Sequence, residues 1–286
     1  MTAPVATRFA ALLERYDGFL FDAYGVLVDT AGACPGAAAA LAAVRAAGRP
    51  LAVVTNDTSR LPATAAARFA GVGLAIAMDE IVSPGLLLPA FVAHRGLGGA
   101  ATLVLGNADA RAYAAAAGLS VLDVERLTAG GAPPAIDALV LCDDGGFDFL
   151  AGMNAALTAC VRALDGGRAL ALVVTNPDLV YPRGGGALGF TAGAMALMIE
   201  AALARRYPAP PRFASLGKPA PALFRLGCAR VAPAARVLMV GDQLETDVAG
   251  ARAAGLDAAL VEGVSVWREG AAPPALAPQW LLRDLS

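Results

Sequence analysis

Histidine is nearly missing from this chain: the 286 residues hold one, alongside four cysteines, two tryptophans and only 16% charged residues. Each scarcity removes a class of function. The single imidazole, His94, cannot build a histidine-rich zinc site. Its place beside Arg95 and before a glycine-rich turn reads as surface. Cys34, Cys142, Cys160 and Cys228 form no CxxC pair and have no metal-ligand spacing. They read as buried free thiols of a protein kept in a reducing cytosol. Positive charge is not concentrated anywhere: the formal net charge is -2, the isoelectric point is about 5.5 and no basic stripe exists. Nucleic acid binding therefore lacks its electrostatic footprint. Long apolar runs are also missing. The opening MTAPVATRFAALLERYDG is broken by charges and does not read as a secretory signal. The stretch GGGALGFTAGAMALMIEAALA is glycine-rich, carries Glu200 and falls short of the ~20 strongly apolar residues that a membrane span needs. It is expected to be a buried helix. A cytoplasmic protein with no membrane and no nucleic acid partner is the resulting expectation.

What the chain does have is apolar mass, 57% of residues, much of it alanine, which favours helices with small side chains and can fill a sizeable core. Short apolar runs alternate with longer alanine-rich segments. Phe19 to Asp22, Leu51 to Asn56, Thr102 to Asn107, Ala138 to Asp144, Ala171 to Asn176 and Val237 to Asp242 read as buried strands. Each is too short for a helix and ends in a polar residue or glycine. Gly36 to Ala47 and Thr246 to Ala254 have helical patterns, the second stopped by Gly255. Strand and helix in alternation predict an α/β fold with a mainly parallel, Rossmann-like sheet. Ligands of such sheets sit at the carboxyl ends of the strands, where Asp22, Thr55, Asn56 and Asp242 all fall.

Four motifs carry chemistry. In FDAYGVL, a carboxylate at a strand end followed by a glycine turn can attack an electrophile held over the sheet edge; it could equally cap the turn. In VVTND, Thr55 can bond an anion, with free backbone N–H groups after it completing a cradle. Lys218, in LGKPAPALF just before Pro219 and a helix, can project a fixed positive charge. In VGDQLETDVAGARAAG, Asp242 and Asp247 follow a buried strand and open a helix. Paired acids suit magnesium, which takes a few carboxylates and keeps several waters, while Asp247 could also cap that helix. The long gap between Asn56 and Lys218 holds further strand-like runs and has room for an inserted domain.

The order of these motifs resembles the haloacid dehalogenase-like hydrolase superfamily, whose four signatures match Asp22, Thr55, Lys218 and the Asp242/Asp247 pair across nearly the whole chain. The insertion looks like the α/β cap of the class IIA branch, which includes NagD-like and para-nitrophenylphosphatase-like enzymes. TNPDLVYPRGGGALGFTAGA resembles that branch's signature near the return to the core. On this resemblance the core is expected at 1–84 plus 188–286 and the cap at 85–187, moving on connections near Pro84 and Leu188.

The resemblance implies magnesium-dependent hydrolysis of a small phosphorylated metabolite through an aspartyl-phosphate. Asp22 would be nucleophile and metal ligand. Tyr24 would offer its backbone carbonyl to magnesium, Asp242 would be the acidic ligand, and Asp247 would hold a metal-bound water. Thr55, Asn56 and Lys218 would hold the phosphoryl oxygens. Asp178 and Arg183, in TNPDLVYPR, are candidate specificity residues, and similar proteins form homodimers through the cap. One position departs from the pattern. Family phosphatases carry a second aspartate two residues after the nucleophile as general acid and base; here it is Tyr24, whose free pKa near ~10 makes a poor base at neutral pH. Two alternatives stay open on that account. One is a phosphate-ligand binding protein whose catalysis has decayed. The other is 2-haloacid dehalogenase-like chemistry, which FDAYG also resembles. Dehalogenation without a metal has no evident use for Asp242 beside Asp22, because adjacent carboxylates repel.

Overall fold

Each of the six apolar runs becomes a strand in the computed structural model of the chain, which describes residues 4–122, 124, 135–185, 187–262 and 276–286. In chain order, β1 (Val5–Thr7), β2 (Gly18–Phe21), β3 (Leu51–Val54) and β4 (Ile81–Val82) belong to a first sheet. A second sheet takes β5 (Ala101–Leu105), β6 (Ser120–Leu122), β7 (Ala138–Leu141), β8 (Ala171–Val174) and, later, β11 (Phe213–Ser215). Between them β9 (Val180–Gly184) and β10 (Ala187–Phe190) form an antiparallel hairpin. The chain then returns to the first sheet with β12 (Val237–Gly241), β13 (Asp257–Val261) and β14 (Trp280–Leu282). Every pairing in the two large sheets is parallel. The expected α/β class with an inserted α/β unit is therefore the fold.

Two compact units result. The first comprises Met1–Thr55, Pro62–Val82 and Lys218–Ser286, and the second Asn56–Leu61 and Ser83–Gly217. The return expected at 188 falls inside the second unit. Hydrogen bonding explains why: β10 pairs with β9, and β11 pairs with β8, so the segment up to Gly217 completes the second sheet. The stretch expected to be one buried helix is also divided. Gly184 ends β9, Ala187–Phe190 form β10, and the helix begins at Ala192 and runs to Arg206. Short excursions such as β4, β6 and β14 were not expected, being only two or three residues long.

The first sheet runs in the order β1-β14-β13-β12-β2-β3-β4, and its central strands β12, β2 and β3 are buried on both faces. Alternation along β2 sends Phe19 and Phe21 into one layer with Phe9, their ring centroids 5.6 and 5.7 Å from it. Leu20 points to the other layer, where the helix Pro221–Arg230 lies so close that a Cβ on Gly227 would sit 2.8 Å from Val54 Cγ2 and 3.2 Å from Leu20. A fully buried phenylalanine stabilises by roughly 1.5–3 kcal/mol. Two of them flank Leu20 in the strand that carries Asp22, which offsets part of the cost of burying charge at its end. Cys142 and Cys160 are buried thiols, as expected, whereas Cys34 and Cys228 are only half-buried. Among the described residues no helix is long and apolar enough to cross a membrane.

Candidate active site

Strand register brings the motifs of the first unit together. Phe21 aligns with Val240 of β12 on one side and Val53 of β3 on the other. Asp22, Asp242 and Thr55 therefore all lie just beyond the carboxyl ends of three adjacent strands. Lys218 arrives from the segment leading into the helix Pro221–Arg230; Gly227 lets that helix lie against β2 and β3, and Gly250 lies against Phe224 and Pro219.

Asp247 reaches the same place through an irregular turn. The amides of Asp247 and Val248 both donate to Gln243 O, at 3.1 and 3.2 Å, a π-type turn over Leu244–Val248. The turn sends the carboxylate back under the strand end, where Oδ2 accepts from the amides of Asp242 and Gln243, both at 3.1 Å. Gly241 is required here, because a Cβ on it would overlap the Asp247 side chain. Gly25 has the same role on the other side: its φ is +93°, and a Cβ there would lie 2.6 Å from Asp242 Oδ2. Gly25 reads from the sequence only as the turn after Asp22, and Gly241 was not singled out, although it immediately precedes Asp242.

The result is a buried charge cluster. Lys218 Nζ lies 2.6 Å from Asp22 Oδ1 and 2.6 Å from Asp247 Oδ1. Carboxylate oxygens of Asp22, Asp242 and Asp247 all lie within 4.8 Å of one another. The four residues are at most 4% exposed. Asp22 Oδ1 also accepts from Ala23 N at 2.7 Å. With all three ionised, three carboxylates against one ammonium would leave an excess of two negative charges. At an effective dielectric of ~20, each carboxylate pair at this spacing repels by about 3 kcal/mol or more.

The pKa shifts follow from burial first and from the neighbouring charges second. Burial, with the Asp247 charge added, raises the Asp22 carboxyl to about 7 against the pull of Lys218. Burial and the charges of Asp22 and Asp247 likewise push Asp242 well above the carboxylate range. Burial alone would lower Lys218, but Asp22 and Asp247 outweigh it and hold the ammonium protonated. Asp242 Oδ1 is buried with no hydrogen-bond partner. An unmatched buried carboxylate oxygen beside two other carboxylates is the donor set a small divalent cation satisfies, and two positive charges cancel the excess. The residues thus fit magnesium.

Tyr24, in the same unit, is half-buried. Burial raises its hydroxyl pKa, and Thr30, Asp29 and Arg68 are the groups that act on it next. Asn56, Asp178 and Arg183 belong to the second unit. Asn56 Nδ2 donates to Asp178 Oδ1 at 3.0 Å, and a Cβ on Gly217 would sit 2.6 Å from Asn56 Oδ1. Arg183 is exposed on β9. Another acid of the second unit, Asp143, was missed; it is raised to about 6 by burial and by neighbouring Asp144 and Asp57. Its signal was the pair of acids closing the Ala138 to Asp144 run.

Comparisons with known proteins agree with this geometry. Residues 19–120 match a family model described as haloacid dehalogenase-like hydrolase, and residues 215–286 match a HAD-hydrolase-like model. The chain is 32% identical over 275 residues to chronophin from Homo sapiens, covering 93% of this chain and 88% of chronophin. A possible sugar phosphatase of the HAD superfamily from Cytophaga hutchinsonii superposes with a TM-score of 0.80 at 28% identity, covering 99% of this chain and 98% of that one. Glycerol phosphate phosphatase from Mycobacterium tuberculosis, in complex with magnesium, superposes with a TM-score of 0.75 at 27% identity, covering 98% of this chain and 77% of that one.

The charge excess has a measurable consequence. A carboxyl whose folded pKa is raised adds stability that is complete below its unfolded pKa and is lost as pH rises through the folded value. Asp22, raised from 3.8 to about 7, loses its contribution between those two values, and Asp242 acts in the same direction. Magnesium binds the ionised form. Its addition should therefore raise the unfolding midpoint more at about pH 7.5 than at about pH 5. Equal shifts at both pH values, or none, would contradict the charge assignment.

Proposed function

The chain belongs to the haloacid dehalogenase-like hydrolases, and from that premise we propose that it hydrolyses a small phosphorylated metabolite with magnesium, through an aspartyl-phosphate on Asp22. The observation that carries this reading is the buried Asp22–Lys218–Asp247 contact beside the unmatched Asp242 oxygen. The class IIA branch fits the inserted α/β unit, and the homodimer implied by the resemblance is part of the same reading.

Asp22 and Asp242 would hold the metal directly, with the Tyr24 carbonyl. Asp247 has both oxygens engaged by Lys218 and two amides, which suits contact through a water. Magnesium would supply neutralisation of the phosphoryl oxygens as the anion meets a carboxylate nucleophile. Lys218 holds Asp22 Oδ1, so Oδ2 is the attacking oxygen. It forms a bond to phosphorus as the bond from phosphorus to the leaving oxygen breaks. Water then attacks the phosphorus of the aspartyl-phosphate, releasing inorganic phosphate and restoring the carboxylate. Lys218, Thr55 and Asn56 would hold the phosphoryl oxygens through both steps.

The leaving oxygen needs a proton. Tyr24 has a hydroxyl that burial keeps protonated through the neutral range, so it can donate but cannot serve as a base for water. Asp178, the other candidate acid, is engaged by Asn56 Nδ2. Arg183, exposed on β9, would be a specificity residue. We therefore infer a phosphatase that is slow on alkyl esters and less impaired where the leaving group needs no proton. Decayed catalysis is the limiting form of the same observation.

Two measurements address this. Hydrolysis of an aryl phosphate should require magnesium; full activity in excess chelator would sink the assignment. Tyr24→Asp should raise turnover of alkyl phosphates more than of aryl phosphates, within the ~10² to 10⁴ that a general acid–base contributes. If Tyr24→Phe abolishes activity while Tyr24→Asp brings no gain, the tyrosine hydroxyl is itself the acid.

A further inference from the structure

The second unit is itself a doubly wound sheet, and a segment of the chain's own backbone is bonded to the helix start at its switch point. In the order β11-β8-β7-β5-β6, the chain leaves β5 for β6 on one side and β7 for β8 on the other. Open α/β sheets bind ligands at such a switch point, outside the carboxyl ends of the two strands. Asn107 stands there, just past β5. It caps the helix Ala108–Ala116 through Oδ1, which accepts from Ala110 N at 3.0 Å.

Against this helix start lies the segment Asn56–Leu61, part of the same unit. Asn107 Nδ2 donates to Ser59 O at 2.7 Å. Tyr113 OH donates to Arg60 O at 3.0 Å. Asp109 Oδ2 accepts from Leu61 N at 2.9 Å. Three consecutive residues of an irregular segment thus each give one backbone group to a different side chain of one helix, in place of sheet or helix partners. Tyr113 does more. Its one proton goes to Arg60, so Ser83 Oγ, 2.8 Å away, donates to it. A Cβ on Gly85 would lie 2.6 Å from the Tyr113 ring. One side chain therefore grips the chain shortly before it enters the first unit at Pro62 and again where it leaves that unit at Ser83.

We propose that Asn107, Asp109 and Tyr113 are positioning residues: they clamp Asn56–Leu61, and with it Asn56 at the start of that segment. The effect on phosphoryl binding rests on the function proposed above. The clamp itself does not. Misplacement of a binding group by about 1 Å can cost on the order of 10²-fold in rate, so a turn with no regular secondary structure needs such an anchor.

Two substitutions separate the clamp from the fold. Asn107→Asp keeps the Oδ1 cap on Ala110 but sets a carboxylate oxygen against Ser59 O. Tyr113→Phe removes one hydroxyl and keeps the ring against Gly85. In the double variant, amide hydrogen exchange across 56–61 should quicken by ~10-fold or more, with the global unfolding midpoint close to wild type. KM for an aryl phosphate and Ki for inorganic phosphate should rise together by ~10-fold, the scale of one or two lost hydrogen bonds. Unchanged exchange would overturn the clamp. Faster exchange with unchanged KM and Ki would overturn its positioning role. A wild type that neither hydrolyses nor binds phosphate would overturn the function proposed above instead, and the exchange measurement would still decide the clamp.

Discussion

The buried ammonium of Lys218, shared between Asp22 and Asp247, is the interaction around which the first unit is arranged. Burying ions costs several kcal/mol each, and that cost is recovered only by close pairing and full hydrogen bonding. Asp247 meets both conditions, with one oxygen on Lys218 and the other on two amides. Asp242 meets neither, since one oxygen has no partner. The imbalance is local and specific: it falls at the strand ends, where a ligand can enter, and its sign calls for a cation.

Much of this was legible in the sequence because a parallel sheet buried on both faces writes itself as short continuous apolar runs. FLFD, LAVV and VLMVG each announce a strand, and the polar residue after each announces the edge of the sheet. Lys218 carried a stronger signal than motif spacing alone, for it is the one lysine among 22 basic residues. Arginine serves every other position. A compact ammonium appears only where two carboxylates must be met at 2.6 Å.

What stayed hidden has physical reasons too. The resemblance points to a return near Leu188, whereas the first unit resumes at Lys218, because β10 and β11 are too short and too mixed in polarity to read as strands. Gly25 and Gly241 look like turn residues in the sequence, whereas in the fold a Cβ at either would strike a carboxylate. The excursion of Asn56–Leu61 into the second unit could not be foreseen, since its partners Asn107, Asp109 and Tyr113 lie some fifty residues away and act on backbone atoms that carry no sequence signature.

The central claim is that the three-carboxylate cluster is a magnesium site. Calorimetric titration of magnesium into the wild-type protein and into Asp242→Asn tests it most directly, without reference to any substrate. The account predicts one saturable magnesium per chain in the wild type and binding weakened by ~10-fold or more in the variant, where a charged ligand has become neutral. Equal binding by the two proteins, or none by the wild type, would contradict it.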